Sequence, residues 1–221
     1  MEWEKSWILA GLCLTAGYAL GNFLAAEIVA RCLAGTGVRS LGSGRPCAAN
    51  VTKSLGKAAG LAVVTGDILK TILVCWFCYR LAAPELEERA ILYGGLGVLA
   101  GHVWPLWLHG RGGGAAPVFC TWLTLYLPIT GALCCLAGGV VAVGTGSNSR
   151  GILLIPLLAV PVAWLQFGRE SGVLVLAAGI VLVWQQRFFF SPPEKIIRTV
   201  KATATIIPPQ MAFCNRQKIT M

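Results

Sequence analysis

Apolar residues in this chain come in long unbroken runs, separated by short polar stretches rich in glycine. A helix needs about 20 apolar residues to cross a hydrocarbon core of roughly 30 Å, and several runs approach or exceed that length. The first covers residues 7–30, and a polar stretch at 31–55 follows. A second run covers 56–83, interrupted by Asp67 and Lys70, and a third covers 90–108. The Gly-rich segment 109–116 leads into 117–144, apolar throughout but broken by Pro128 and several glycines. Runs at 151–167 and 171–189 precede a polar tail. The pattern predicts an all-α fold, with a polytopic transmembrane helical bundle over residues 1–190 and a basic cytoplasmic tail over 191–221. The first run has no small-residue cleavage site after a short apolar stretch, so it is expected to be a retained helix. In the tail, Ile196, Ile197, Val200 and Ala204 form a stripe expected on one short surface helix.

Residues 117–144 decide the span count. As one tilted helix they give six spans; as two short helices hinged near Pro128 they give seven. Lys and Arg near helix ends stay cytoplasmic. With seven spans and the N-terminus outside, the first polar stretch, Arg111, Arg150 and the basic tail all fall inside. Only Lys5, Arg80, Arg89 and Arg169 then lie outside. With six spans this asymmetry collapses, so seven are expected, two of them short. Short segments at membrane depth are tolerated where they pack in protein or line a cavity.

Composition narrows the class. The 221 residues are 56% hydrophobic and only 12% charged, against about 25% charged in soluble domains. Mean hydropathy is +0.72. An ordinary soluble domain and a disordered chain are both excluded. The net charge of +9 is dispersed beside apolar spans, which points to topology and lipid headgroups; no nucleic-acid partner is expected. Most of the nine cysteines lie inside apolar runs. Cys75 and Cys78 lack a second Cys/His pair at zinc spacing and read as small apolar helix residues.

The polar stretches hold the candidate chemistry. In VRSLGSGRPCAANVTKSLGKAAG, Gly42, Ser43, Gly44, Asn50, Gly56 and Gly60 lie among Arg39, Arg45, Lys53 and Lys57. Glycines let backbone N–H groups approach an oxyanion, and the cations supply charge for a phosphate. The alternative is a loop that only contacts headgroups. In GHVWPLWLHGRGGGAAP, His102 falls near the middle of the third run, Trp104 and Trp107 suit an interfacial position, and Arg111-Gly112-Gly113-Gly114 forms a second cationic turn on the same side. Asp67 and Lys70, three apart on one helical face, can pair, as can Glu27 and Arg31. No Ser-His-Asp set, Walker loop, zinc signature or paired-carboxylate signature is present. A lipid-handling enzyme, a transporter and a structural membrane protein remain.

These two blocks resemble the signatures of the bacterial acyl-phosphate:glycerol-3-phosphate acyltransferase family, the PlsY type. LGSGRPCAANVTKSLGKAAG followed by GDILKT is similar to its first signature at Gly42, Ser43, Gly44, Ala48, Asn50, Val51, Leu55, Gly56, Gly60, Asp67 and Lys70, with Lys53 in place of Arg. GHVWPLWLHGRGGG is similar to the second at Gly101, His102, Trp104, Pro105, Leu108, Gly112 and Gly113, with Arg111 in place of Lys. The chain departs from the family pattern at Arg45, Cys47 and Ala49, and at Gly114, where the family carries a phosphate-binding lysine. GTGSNSRG echoes the third signature through Ser147, Asn148 and Ser149. The fourth is placed near SPPEKIIRTVKATA, where only Ile196 and Arg198 fit.

The resemblance implies a membrane enzyme that moves a fatty acyl group from acyl-phosphate to the 1-hydroxyl of glycerol 3-phosphate, making lysophosphatidic acid without metal or organic cofactor. Its partners would be these two substrates and membrane lipid, in a bacterial plasma (inner) membrane. It implies catalytic parts for Ser43 and His102, with His102 orienting the second loop. Phosphate or acceptor binding falls to Gly42, Gly44, Arg45, Asn50, Lys53, Arg111, Gly112 and Gly113, and Asp67 with Lys70 would brace the site. The alternative is a catalytically lapsed paralogue that binds a phospholipid precursor or regulates lipid synthesis.

Overall fold

The computed structural model describes residues 2–190, and among these all regular structure is helical. Met1–Gln186 forms one unit, and Arg187–Met221 clusters separately; of the latter only the end of the last helix is described. The surface helix expected at 194–207 lies outside the described residues.

The first apolar run is two helices, α1 (Glu2–Gly21) and α2 (Ala25–Ala34). Asn22 makes the break. Its side chain donates to Tyr18 O at 2.6 Å, the local back-bonding by which Asn competes with helix propagation. A left-handed Gly35 caps α2, its N–H donating to Arg31 O, as helix ends favour. The polar stretch holds a 3₁₀ turn at Val38–Ser40 and a short helix, α3 (Ala48–Leu55). Gly56 turns the chain into α4 (Lys57–Leu86). Next come α5 (Arg89–Val103) and a second 3₁₀ turn at Leu106–Leu108. The expected hinge is present: α6 (Ala116–Tyr126) and α7 (Pro128–Gly144) meet at Leu127. Proline pushes the residue before it out of the α region but suits a first turn. The chain ends in α8 (Asn148–Phe167) and α9 (Arg169–Phe190).

Small residues bring α1 and α5 together. A Cβ on Gly17 would strike Gly94 O, one on Gly21 would strike Val98 O, and one on Gly101 would strike Tyr18 O. Residue numbers rise together on the two helices, so they run parallel. In lipid, where apolar burial gives little drive, such backbone contact is what holds helices together. Around this pair the core gathers Val74, Leu99, Phe119, Trp122 and Leu182, all buried. Leu73, Trp76, Leu157 and Leu165 face outward and are exposed, as lipid-facing side chains are. Four stretches are long and apolar enough to cross a membrane: Glu4–Ala34, Lys57–Leu86, Arg89–Leu108 and Asn148–Phe167. The helices α6 and α7 are apolar but shorter.

Candidate active site

The two Gly-rich loops meet. Arg39 Nη2 of the first donates to Leu108 O at the start of the second, at 2.6 Å. A Cβ on Gly113 would lie 2.8 Å from Pro46 O and 2.5 Å from His102 Nε2. Loop one, loop two and the end of α5 therefore converge at Gly113, and a larger residue there would push them apart.

Within the first loop Asn50 is the organiser. It is 4% exposed, and its Nδ2 donates to Leu41 O and Arg45 O, both at 3.0 Å. Its Oδ1 accepts the Ser43 N–H at 2.8 Å. The side chain thus folds the Gly42–Arg45 turn around itself. Gly42, at φ +47°, and Gly44, at φ +70°, supply the left-handed residues this turn needs. Ser43 is left exposed on the turn, and Lys53 is exposed in the last turn of α3. Cys47 is buried, and burial pushes its thiol above the ordinary value. The shift favours the thiol over the reactive thiolate.

In the second loop Gly112 N donates to Val103 O and Gly113 N to His102 O, both at 3.0 Å, and Arg111 N to Leu108 O at 3.1 Å. These amides close off the end of α5. The glycines there serve close approach: a Cβ on Gly112 would strike His102 O. Arg111 itself is exposed.

His102 lies in the last turn of α5, adjoining the loop instead of mid-span, and is 1% exposed. Its Nε2 lies 3.2 Å from Gly114 O, and its Nδ1 lies 2.7 Å from Lys70 Nζ. A carbonyl and an ammonium fix the tautomer: Nε2–H donates to Gly114 O, and Nδ1 accepts from Lys70. Lys70 Nζ also donates to Phe23 O at 2.9 Å and lies 2.8 Å from Asp67 Oδ1. Two hydrogen-bond acceptors and the ion-paired Asp67 carboxylate, whose Oδ1 accepts no hydrogen bond, surround the ammonium, which is how a buried charge is tolerated. Asp67, Lys70 and His102 thus form one chain from the α1–α2 break to the second loop.

The pair Glu27–Arg31 forms as expected, with Arg31 Nε 2.7 Å from Glu27 Oε1, and Glu27 Oε2 also accepts the Val38 N–H at 2.9 Å. Three residues that the sequence reading passed over hold the loops. Asn22 Oδ1 accepts the Leu106 N–H at 2.7 Å, and Asn22 O accepts from Trp107 Nε1 at 2.9 Å. Tyr18 OH donates to Trp104 O at 2.9 Å. Gln185 of α9, 5% exposed, accepts the Ala115 N–H at 2.7 Å and donates to Gly113 O. A lone Asn within an apolar run, and a Gln in phase with buried positions of a helix, were the available signals.

A polytopic helical membrane protein with two joined, cationic loops at one end of its bundle is the class that fold and site define. The family model for glycerol-3-phosphate acyltransferase matches residues 11–190, and the chain belongs to that family. It is 31% identical over 177 residues to glycerol-3-phosphate acyltransferase 1 of Lactobacillus johnsonii, covering 79% of this chain and 84% of the relative. It is 30% identical over 191 residues to the glycerol-3-phosphate acyltransferase of Gloeobacter violaceus, covering 82% and 90%. The fold matches the crystal structure of PlsY (YgiH), an integral membrane glycerol 3-phosphate acyltransferase, in its glycerol 3-phosphate form. There the TM-score is 0.69 at 21% identity, with 87% of this chain and 92% of that chain covered. The lysophosphatidic acid form of the same protein gives 0.67 at 19% identity, with the same coverage. The protein is an integral membrane protein.

Proposed function

We propose that this protein transfers a fatty acyl group from acyl-phosphate to the 1-hydroxyl of glycerol 3-phosphate, forming lysophosphatidic acid for phospholipid synthesis. The observation that carries the reading is the junction of the two family signatures at Gly113, with Ser43, Lys53 and Arg111 exposed on the segments it joins. The acceptor oxygen forms a bond to the acyl carbonyl carbon, the bond from that carbon to the phosphate oxygen breaks, and inorganic phosphate leaves carrying the acceptor's proton. Because phosphate is already a good leaving group, the protein's work is to hold two phosphates and a hydroxyl together and offset their charge.

Lys53, Arg45 and Arg111 supply that charge, and Ser43 meets the reacting groups. Asn50 acts by shaping the turn. His102 has its Nδ1 lone pair directed at Lys70, so its part is to orient the loop through Gly114. Asp67 and Lys70 brace it. The chain crosses the membrane seven times, with the N-terminus outside and the loops and the C-terminus on the cytoplasmic side; the distribution of Lys and Arg supports this.

Purified protein supplied with acyl-phosphate and glycerol 3-phosphate is expected to release phosphate and form lysophosphatidic acid. Ser43→Ala and Arg111→Ala should each lower kcat/KM by about 100-fold, the scale of one charge-stabilising group. The second reading, a protein that binds these substrates without converting them, is favoured by Gly114 standing where the family carries lysine. Tight substrate binding with no phosphate release from the parent would establish it and sink the enzymatic reading.

A further inference from the structure

Five positions of α9 are buried at spacings of four and three: Ser171, Val175, Ala178, Leu182 and Gln185. That period is one helical face. The three apolar members join the core that contains Phe119, Trp122 and Leu123 of α6. The two polar members stand at the ends of the stripe. Ser171 Oγ is 2.6 Å from Tyr126 OH, in the last turn of α6. Gln185 bonds Ala115 and Gly113 just before α6 begins.

The second contact is chemically matched. Gly113 presents a carbonyl and Ala115 an N–H two residues further on. A carboxamide carries a donor and an acceptor on one planar group and answers both at once. A carboxylate would set an oxygen against the Gly113 carbonyl, and an apolar side chain would leave both backbone groups without partners. Gly113 is also the residue wedged between His102 and Pro46. Gln185 therefore grips the second loop at the point where it touches the first.

We propose that Gln185 is a positioning residue: its side-chain amide fixes the Arg111-bearing loop against the Ser43-bearing loop, and so sets the geometry in which phosphate is held. The proposal rests on the acyltransferase reading for its kinetic consequence, but not for its structural one.

The test uses the full chain in detergent, with Gln185→Met, which keeps volume and removes both bonds, and Gln185→Glu. Hydrogen–deuterium exchange of the peptide spanning 110–116 is expected to quicken in Gln185→Met. The KM for glycerol 3-phosphate is expected to rise about tenfold, with kcat changed less. Gln185→Glu supplies a switch: at pH 8 a carboxylate repels the Gly113 carbonyl. Near pH 5.5 a buried acid, protonated because burial disfavours its charge, again offers donor and acceptor. Its activity relative to the parent at the same pH should climb toward one as pH falls. His102, Lys70 and Asp67 beside the loop, and His109 and Arg111 within it, are common to both proteins, so the ratio removes their contribution. Unchanged loop exchange in Gln185→Met overturns the proposal whether or not the parent turns over. So does a parental KM in that variant, or a Gln185→Glu ratio flat across pH. A parent without turnover removes the acyltransferase reading and leaves loop exchange to judge the clamp.

Discussion

At the scale of single residues, glycine has two different uses in this site. Gly42 and Gly44 provide left-handed backbone around the Asn50 amide. Gly112 and Gly113 provide absence of bulk, since any side chain would strike α5, His102 or Pro46. Sequence shows glycine in both places and cannot separate the uses, because the signal is the same letter beside the same cations. The distinction predicts a sharp contrast between variants. Gly113→Ala places a methyl group 2.5 Å from His102 Nε2 and 2.8 Å from Pro46 O. Ring and backbone cannot yield cheaply, and an overpacked site loses about 1–3 kcal/mol. The two loops must separate, and acyl transfer should fall at least about tenfold, since displacement of about 1 Å at a reacting centre can lose up to 100-fold. Gly139→Ala on α7 meets nothing within 4 Å and should leave turnover and thermal unfolding unaltered. Assaying both variants for phosphate release checks this; equal activity would mean that the junction at Gly113 is dispensable.

At the scale of elements, hydropathy located the long apolar helices but missed α3 in the polar stretch and misplaced the boundaries that matter for the site. Runs of apolar residues record what faces lipid or core, and that property is blind to a two-residue break. The run 7–30 therefore read as one helix, although Asn22 divides it. The division has a consequence for the site. It releases Phe23 O to Lys70 and Asn22 O to Trp107, and it turns Asn22 Oδ1 toward Leu106 N–H. Irregular backbone at membrane depth survives where protein groups satisfy it, and here those groups belong to α4 and to the second loop. Pro128, by contrast, marked its break in the sequence, because proline disfavours the α region at the residue before it, here Leu127, although Pro84, Pro156 and Pro161 lie inside α4 and α8. His102 shifted from mid-run to the last turn of α5 because Trp104 and Pro105 end that helix before the hydropathy does. Asn22→Leu restores the unbroken apolar pattern and strips Leu106 N–H of its partner. The bond is exposed, so its loss costs about 0.5–1.5 kcal/mol. The variant should unfold at lower temperature in detergent and bind glycerol 3-phosphate more weakly. A variant as stable as the parent, with unchanged KM, would show that the break is incidental.

At the scale of the whole molecule, the hydrogen bonds of α9 decide what α6 does. At about 1.5 Å per residue, an 11-residue helix is roughly 16 Å long and cannot by itself cross a hydrocarbon core of roughly 30 Å. Yet Ala115, before its start, is tied to Gln185, and Tyr126, at its end, is tied to Ser171. The helix α6 therefore runs antiparallel to α9 over nearly the whole depth between those two residues. The same end of α9 holds Glu170, which pairs with Arg89 at 3.3 Å and accepts a hydrogen bond from Tyr93 near the start of α5. The α6–α7 turn thus lies level with the start of α5 and with Arg169, on the face opposite the two Gly-rich loops. A short helix reaches that level because it is packed among α5, α7 and α9 and does not meet lipid on all sides. On the proposed seven-crossing topology the α7–α8 turn at Thr145–Ser147 lies on the same face as Arg111. Reporters fused after Gly146 and after Gly110 should then share a compartment. A reporter after Glu88 should occupy the other. If the Gly146 fusion instead sided with Glu88, α6 and α7 would count as one crossing, and the charge asymmetry that sets the cytoplasmic face would have to be explained without them.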